Sequence, residues 1–438
     1  MQIDATTHAD LGIFDREESE SLFGRLDFTT TSLGREWLRR IFEKPLGSIP
    51  EIEEMQGVVA AIWEKLDAWP DRITNGTLLV VEKFLDYNLE RMSDPRDRIG
   101  SLAYRLLNGP DFSLARFSMT HLADLVEGSR RMAELLDGEQ TPRRLRKLME
   151  EARQLLDDTE VKAISRHPRG SSFSLHDTIR FGRFFHGPLR KRTTRLMEIY
   201  GQMDAWCSMA RAMKAYDLRF PTFVEGEEPF LQTTALRHPL LPDPKPYDLE
   251  MGPESNFIFL TGANMAGKST FIKAVGIAAF MAHLGMGVPA ASMRLSLFDG
   301  ILTNINVADN LAKGESYFFN EVQRIRNTVA RINDGRRWLV LIDELFKGTN
   351  IQDAMKCSTT VIRGLIRIRR ALFILSTHLY EIGEELRQYP NISFRYFETK
   401  IEDEDFEFSF RLKEGISNDR LGYLILKREK VLDMLERL

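Results

Sequence analysis

One stretch limits what this chain can fold into. Residues 260–270 read LTGANMAGKST, and within them Gly262 to Ser269 spell G-x-x-x-x-G-K-[ST]. That spacing describes a glycine loop whose backbone N–H groups cradle phosphate oxygens. Such a loop needs a strand before it and a helix after it, and both are legible. Residues 256–260 (NFIFL) form a short apolar run, as a buried strand does. Residues 269–285 (STFIKAVGIAAFMAHLG) carry the long apolar pattern of a buried helix. Backbone amides and the helix dipole then point at one anion. In this motif Lys268 reaches the terminal phosphates and the Ser269 hydroxyl binds Mg²⁺. A chance glycine turn would lack the flanking strand and helix.

A second carboxylate-bearing strand supports the first motif. Residues 337–344 (RWLVLIDE) are apolar up to Asp343-Glu344, 75 residues beyond Lys268. A strand-end Asp holds the metal in phosphate-loop ATPases, and a neighbouring Glu can polarise the attacking water. Asp343 is therefore the metal carboxylate and Glu344 the catalytic one; an acidic helix start is the plainer alternative. Residues 371–378 (ALFILSTH) form another buried strand, ending in His378. Sites of open α/β sheets lie at strand carboxyl ends, where His378 can touch the γ-phosphate or its water. Residues 309–318 (DNLAKGESYF) precede a helix running to Asn333, with Ser316 at the helix cap. A serine at a helix start can also take a phosphate from a second subunit.

The rest of the chain sorts around these motifs. A length of 438 residues accommodates two or three domains. Residues 11–222 read as almost wholly helical. The breaks at Phe220-Pro221-Thr222 and Glu225-Gly226-Glu227 lead into alternating strands and helices, the signature of an α/β layer. Strands are expected at 256–260, 338–342, 371–375, 392–401 and 406–412. The last two make a hairpin with Phe406, Phe408, Phe410 and Leu412 alternating onto one face. Two cysteines, Cys207 and Cys357, cannot form a disulfide framework or a four-ligand zinc site, so a reduced, cytoplasmic protein is the simplest expectation. The polar, acidic amino terminus has no apolar signal core. No membrane span is expected, because the most apolar stretch contains Lys273 and His283 and follows the glycine loop.

Net charge of −4 names no partner, but charge is locally uneven. Residues 161–195 hold nine basic side chains: Lys162, Arg166, Arg169, Arg180, Arg183, Arg190, Lys191, Arg192 and Arg195. Only Asp177 opposes them, and Phe173, Phe181, Phe184 and Phe185 are interleaved. Basic and aromatic residues together can neutralise phosphates and stack on bases. The alternative is a solvated turn with its phenylalanines packed inward.

Taken in order, TGANMAGKST, DNLAKGESYF, LVLIDELFKGTN and STH resemble the ATPase domain of the MutS family of DNA mismatch repair ATPases. The resemblance extends to Arg237-His238-Pro239-Leu240-Leu241, to Gly415-Ile416-Ser417-Asn418-Asp419 and, at the amino-terminal side, to segments 21–35 and 44–52. It implies an α/β P-loop ATPase domain of ABC/MutS type (223–438) preceded by an all-α core and lever domain (1–222). It implies ATP and Mg²⁺ as cofactors. Gly262, Asn264, Gly267, Lys268, Ser269 and Thr270 would hold the phosphates, with Tyr247 stacking on adenine. Asp343 and Glu344 would serve metal and water, and His378 would be the switch histidine. Ser316 would act in trans across a homodimer with composite sites. The family's mismatch-reading and connector domains have no counterpart here, and the clamp is absent or very short. Phe223-Val224-Glu225 and Phe319-Asn320-Glu321 fall inside other matched segments, so neither reads as a mismatch wedge. The implied function is a nucleotide-driven dimer closure coupled to DNA binding, with residues 161–195 as the candidate DNA contact. The alternative is a nucleotide-switched scaffold for a protein partner.

Overall fold

The apolar runs of the carboxy-terminal half pair side by side in the computed structural model, which describes residues 1–438 except 16, 89–91, 168–171, 307–316, 403–404, 418–425, 429 and 437–438. The chain divides into two compact units. One comprises Met1–Arg25, Lys44–Glu53 and Tyr216–Leu438; the other comprises Leu26–Glu43 and Glu54–Ala215.

The first unit is α/β. Its main sheet runs β1 (Gln2–Ile3), β7 (Gly300–Asn304), β8 (Trp338–Asp343), β9 (Ala371–Ser376), β5 (Phe257–Thr261), β10 (Ile392–Glu402), β11 (Asp405–Glu414) in spatial order. All neighbours are parallel except β10 and β11. Strands β5, β7, β8 and β9 are buried along their whole length, which is why they read as unbroken apolar runs and not as alternation. Helix α12 (Lys268–His283) follows β5 and is buried on nearly every side. Helices α13 (Tyr317–Ile332) and α14 (Ile351–Leu365) are amphipathic. A second sheet orders β2 (Thr222–Val224), β6 (Ser292–Ser296), β3 (Leu231–Leu236) and β4 (Tyr247–Met251).

Two features here were not expected. The amino-terminal residues belong to this unit: β1 extends the sheet beside β7, and α1 (Ala5–Asp10) packs against β7. Buried Asp10 accepts from Thr303 Oγ1 (2.8 Å), Ile305 N (3.0 Å) and Asn306 N (3.1 Å), which ties α1 to the carboxyl end of β7. The expected even alternation of β11 also fails. The β10–β11 register shifts between Phe397 and Thr399, and Phe410 takes a left-handed φ of 52°. Phe410 lies at this irregularity, its ring centroid 6.1 Å from that of Phe408.

The second unit is helical: α3 (Ser32–Glu43), α5 (Asn75–Asp86), α6 (Arg98–Leu107), α7 (Gly109–Leu135), α8 (Arg143–Leu156), α9 (Thr159–Ser165), α10 (Leu175–His186), α11 (Arg190–Ala215) and most of α4 (Ile49–Trp63). Helix α7 is its axis, packed by α5, α8, α9 and α10. Helix α11 packs on α3 and buries Asp204, whose carboxylate accepts from the amides and hydroxyls of Thr30 and Thr31 at the start of α3. Burial pushes the Asp204 carboxyl above its ordinary value, against the pull of those bonds.

The basic segment lies in this unit, and its charges are largely met. Arg180 pairs with Glu160 (2.8 Å), Arg190 with Asp86 (3.0 Å), Arg192 with Asp158 (3.5 Å), Arg183 with Asp94 (3.8 Å), Arg195 with Glu151 (2.7 Å) and Lys162 with Asp157. Phe173, Phe181 and Phe185 are buried and Phe184 is half-buried. Arg169 lies outside the described residues. The phenylalanines are core, not stacking platforms.

Candidate nucleotide site

Sheet order places the glycine loop and the two carboxylates close together. Strand β9 lies between β5 and β8, with Leu260 beside Ser376 and Ser376 beside Asp343 in register. The carboxyl ends of three adjacent strands therefore deliver the loop, Asp343-Glu344 and Ser376-Thr377-His378 to one edge of the sheet. Thr377 N donates to Leu260 O (2.9 Å) and Glu344 N to Ser376 O (3.0 Å), locking these turns to one another.

The loop needs its glycines for two reasons. Gly262 has φ 138°, and a Cβ there would sit 3.3 Å from the backbone of Phe397. Gly267 has φ 106° and caps α12 in a left-handed conformation. Lys268 Nζ donates to Gly262 O (2.7 Å) and Ala263 O (3.0 Å) and lies 3.3 Å from His378 Nε2. Burial lowers the Lys268 ammonium to about 8, against the opposite pull of Glu344 and Asp343. Ser417 N donates to Thr261 Oγ1 (2.9 Å), bringing the Gly415–Ser417 segment to the same strand end; Asn418 and Asp419 lie outside the described residues.

Two oxygens meet at the foot of the loop. Ser269 Oγ donates to Asp343 Oδ2 at 2.5 Å, and Ser376 Oγ donates to Asp343 Oδ1. A hydroxyl and a carboxylate converging at a phosphate loop are the hard oxygen donors that Mg²⁺ takes, with phosphates and water supplying the rest. No cluster of three or more His, Cys, Asp or Glu suited to a metal occurs among the described residues.

Glu344 sits beside this pair with φ 66°. Its Oε1 lies 2.9 Å from His378 Nε2 and its Oε2 lies 3.1 Å from Lys347 Nζ. Burial pushes its carboxyl up, but the contacts with His378 and Lys347 outweigh that and hold it down to about 2.

A cavity of about 340 Å³ opens above the loop. Asn264, Gly267, Lys268, Ser269, Thr270, Glu344 and Tyr247 line it, and so does Phe410. Tyr247 is only 5% exposed and meets the edges of Phe271 and Phe397 at 5.3 and 5.7 Å. Phe410 is 36% exposed and is the aromatic side chain with a face to offer. The sequence reading missed it because its position looked like one more strand residue. It also missed Ser376, although that residue adjoins the Thr-His pair, and Lys347, which lies between the two carboxylates and the Gly-Thr-Asn turn. Asn350 caps α14 through Asp353 N. Ser316 lies outside the described residues.

A phosphate loop at the carboxyl end of a central parallel strand, with a carboxylate pair one strand beyond its neighbour, defines the class: a P-loop nucleotide-binding domain. The family model for MutS domain V, the P-loop ATPase domain of those proteins, matches residues 258–432. The DNA mismatch repair protein MutS of Petrotoga mobilis is 27% identical over 237 residues, 53% of this chain and 29% of that protein. Its namesake in Thermotoga maritima is 29% identical over 246 residues, 55% of this chain and 30% of that one. The MutS of Chlorobium chlorochromatii is 30% identical over 237 residues, 52% and 27% of the two chains. Over about half its length this chain is similar to MutS proteins. It spans less than a third of the length of the curated relatives it matches.

Proposed function

We propose that this protein is a Mg-ATP-dependent ATP hydrolase whose nucleotide state closes two such chains on each other around composite sites, with Ser316 serving the partner's nucleotide. The observation that carries the reading is the convergence of Ser269, Asp343, Glu344 and His378 on the loop that holds Lys268. In this reading the amides of 262–270 and the α12 amino terminus bind the phosphates. Lys268 trades its two carbonyl partners for phosphate oxygens. Ser269 and Asp343 would hold Mg²⁺, which when bound supplies charge neutralisation at the phosphates. Glu344 orients the attacking water and takes its proton. A carboxylate held at about 2 is a weak base, so Glu344 gains basicity as Lys347 and His378 turn from it toward phosphate. Glu344→Gln should retain ATP affinity while turnover falls at least 100-fold, within the usual range for a general base. Turnover at the wild-type rate would remove Glu344 from that role. Mixing chains lacking Ser316 with chains lacking Lys268 should restore one working composite site.

For the coupled task, DNA binding in repair or recombination follows from the resemblance to MutS. A nucleotide-switched scaffold for a protein partner is favoured by one specific observation: six basic residues of segment 161–195 are already ion-paired and its phenylalanines face inward. Exposed ion pairs are weak and can yield to phosphates, so a titration decides. DNA binding that weakens steeply with salt and raises ATP turnover supports the first reading. No affinity for duplex, mismatched or branched DNA at low salt supports the second.

A further inference from the structure

The turn carrying Glu344 does not hold its shape by its own sequence. Glu344 (φ 66°) and Phe346 (φ 59°) are both left-handed without being glycine, a geometry that persists only where the surroundings impose it. Helix α13 imposes it twice, one turn apart. Phe318 lays its ring against Phe346 with centroids 5.7 Å apart. Glu321, only 4% exposed, accepts from Lys347 N at 3.0 Å on one carboxylate oxygen and from Gly348 N at 3.2 Å on the other. A buried carboxylate is tolerated where such charge-assisted bonds satisfy it. Lys347 is thereby gripped at both ends, its amide by Glu321 and its Nζ by Glu344.

We infer that Glu321 is a positioning residue for hydrolysis: it fixes the 344–348 turn from α13, and so sets where the Glu344 carboxylate stands. This rests on the ATP hydrolase reading. It separates two properties that a general loss of structure would move together. Nucleotide affinity belongs to 262–270 and stays; turnover depends on the turn and falls.

The test compares Glu321→Gln and Glu321→Ala with the wild-type chain by ATP binding, steady-state turnover and hydrogen exchange of peptides covering 344–349. The Gln variant keeps one acceptor oxygen and places an NH₂ against the second amide. ATP affinity should stay within about twofold for both. The kcat should fall about 10-fold for Gln and about 100-fold for Ala at unchanged KM, and exchange at 344–349 should quicken in the same order. Ile325→Val, a core change on the same helix, should leave kcat unaltered. Should the Ala variant fail to fold, the Gln variant carries the comparison. A kcat within twofold of wild type in the folded variants, or unchanged exchange at 344–349, overturns the inference. The exchange readout needs no turnover, so an inactive wild-type chain would count against the hydrolase reading alone.

Discussion

Glu344 Oε1 and His378 Nε2 lie 2.9 Å apart, although they come from different strands, because β8 and β9 are neighbours in register. The pair ties the proposed general base to the residue that faces Lys268. Removing the imidazole takes away the leading hydrogen-bond partner that holds the Glu344 carboxyl down at about 2. In His378→Ala that carboxyl should therefore titrate at higher pH. The ionised form is the active one, so the acidic limb of the pH–rate profile should move upward. The ratio kcat/KM, which reports the free protein, measured from about pH 2 to 6 in both proteins checks this, and coincident limbs would separate the histidine from the base.

Lys268 makes a prediction of opposite sign. Burial lowers its ammonium to about 8, and phosphate binding needs the charged form. Its charge is fully present below pH 8 and lost as pH rises through that value. ATP affinity should then be level from pH 6 to 7.5 and weaken by roughly tenfold per pH unit above about 8.5. Equilibrium binding of a fluorescent nucleotide reads this directly, and Lys268→Arg, which does not titrate in this range, should flatten the curve.

Phe410 offers the exposed aromatic face of the cavity. Phe410→Ala should weaken nucleotide binding by about 5- to 10-fold, the scale of one aromatic contact, and leave kcat within a factor of two. Because Phe410 itself has φ 52°, Phe410→Gly should relieve backbone strain while removing the ring. Comparing the two variants separates stability from affinity.

Asp10 is a stability prediction. Asp10→Ala strips the acceptor from Thr303 Oγ1, Ile305 N and Asn306 N in a buried setting. At about 1–3 kcal/mol for each orphaned donor, partly relieved by entering water, the loss should be about 3–5 kcal/mol. Asp10→Asn keeps one oxygen and should cost about half as much. Urea denaturation with a probe in the α/β unit, such as Trp338 fluorescence, measures it.

These residues show where the sequence was transparent and where it was opaque. Buried parallel strands must be apolar throughout, so β5, β8 and β9 announced themselves to within about a residue, and their polar ends marked the candidate site. Three classes of residue left no such trace. A two-residue strand has no periodicity, so β1 was invisible. A single glutamate on an amphipathic helix looks solvated, so Glu321 reads only as part of a Phe-x-Glu string inside a matched segment, with no role of its own. The phenylalanine at 410 fitted an alternation that a register shift breaks. The ion pairing of the basic segment was opaque for a related reason: the counter-charges Asp86, Asp94, Glu151, Asp157, Asp158 and Glu160 all lie outside it in sequence, and the helical packing gathers them.

The pairing of Gln2 with Gly300 sets the order in which the molecule can be made. During synthesis the first residues leave the ribosome early, yet their partner strand follows nearly 300 residues later. The helical unit between them is completed first. The opening segment must stay uncommitted until β7 emerges, which makes the α/β unit a late-closing structure of high contact order. Its assembly should limit refolding, and a chaperone should bind Met1–Arg25 more readily than any segment of the helical unit.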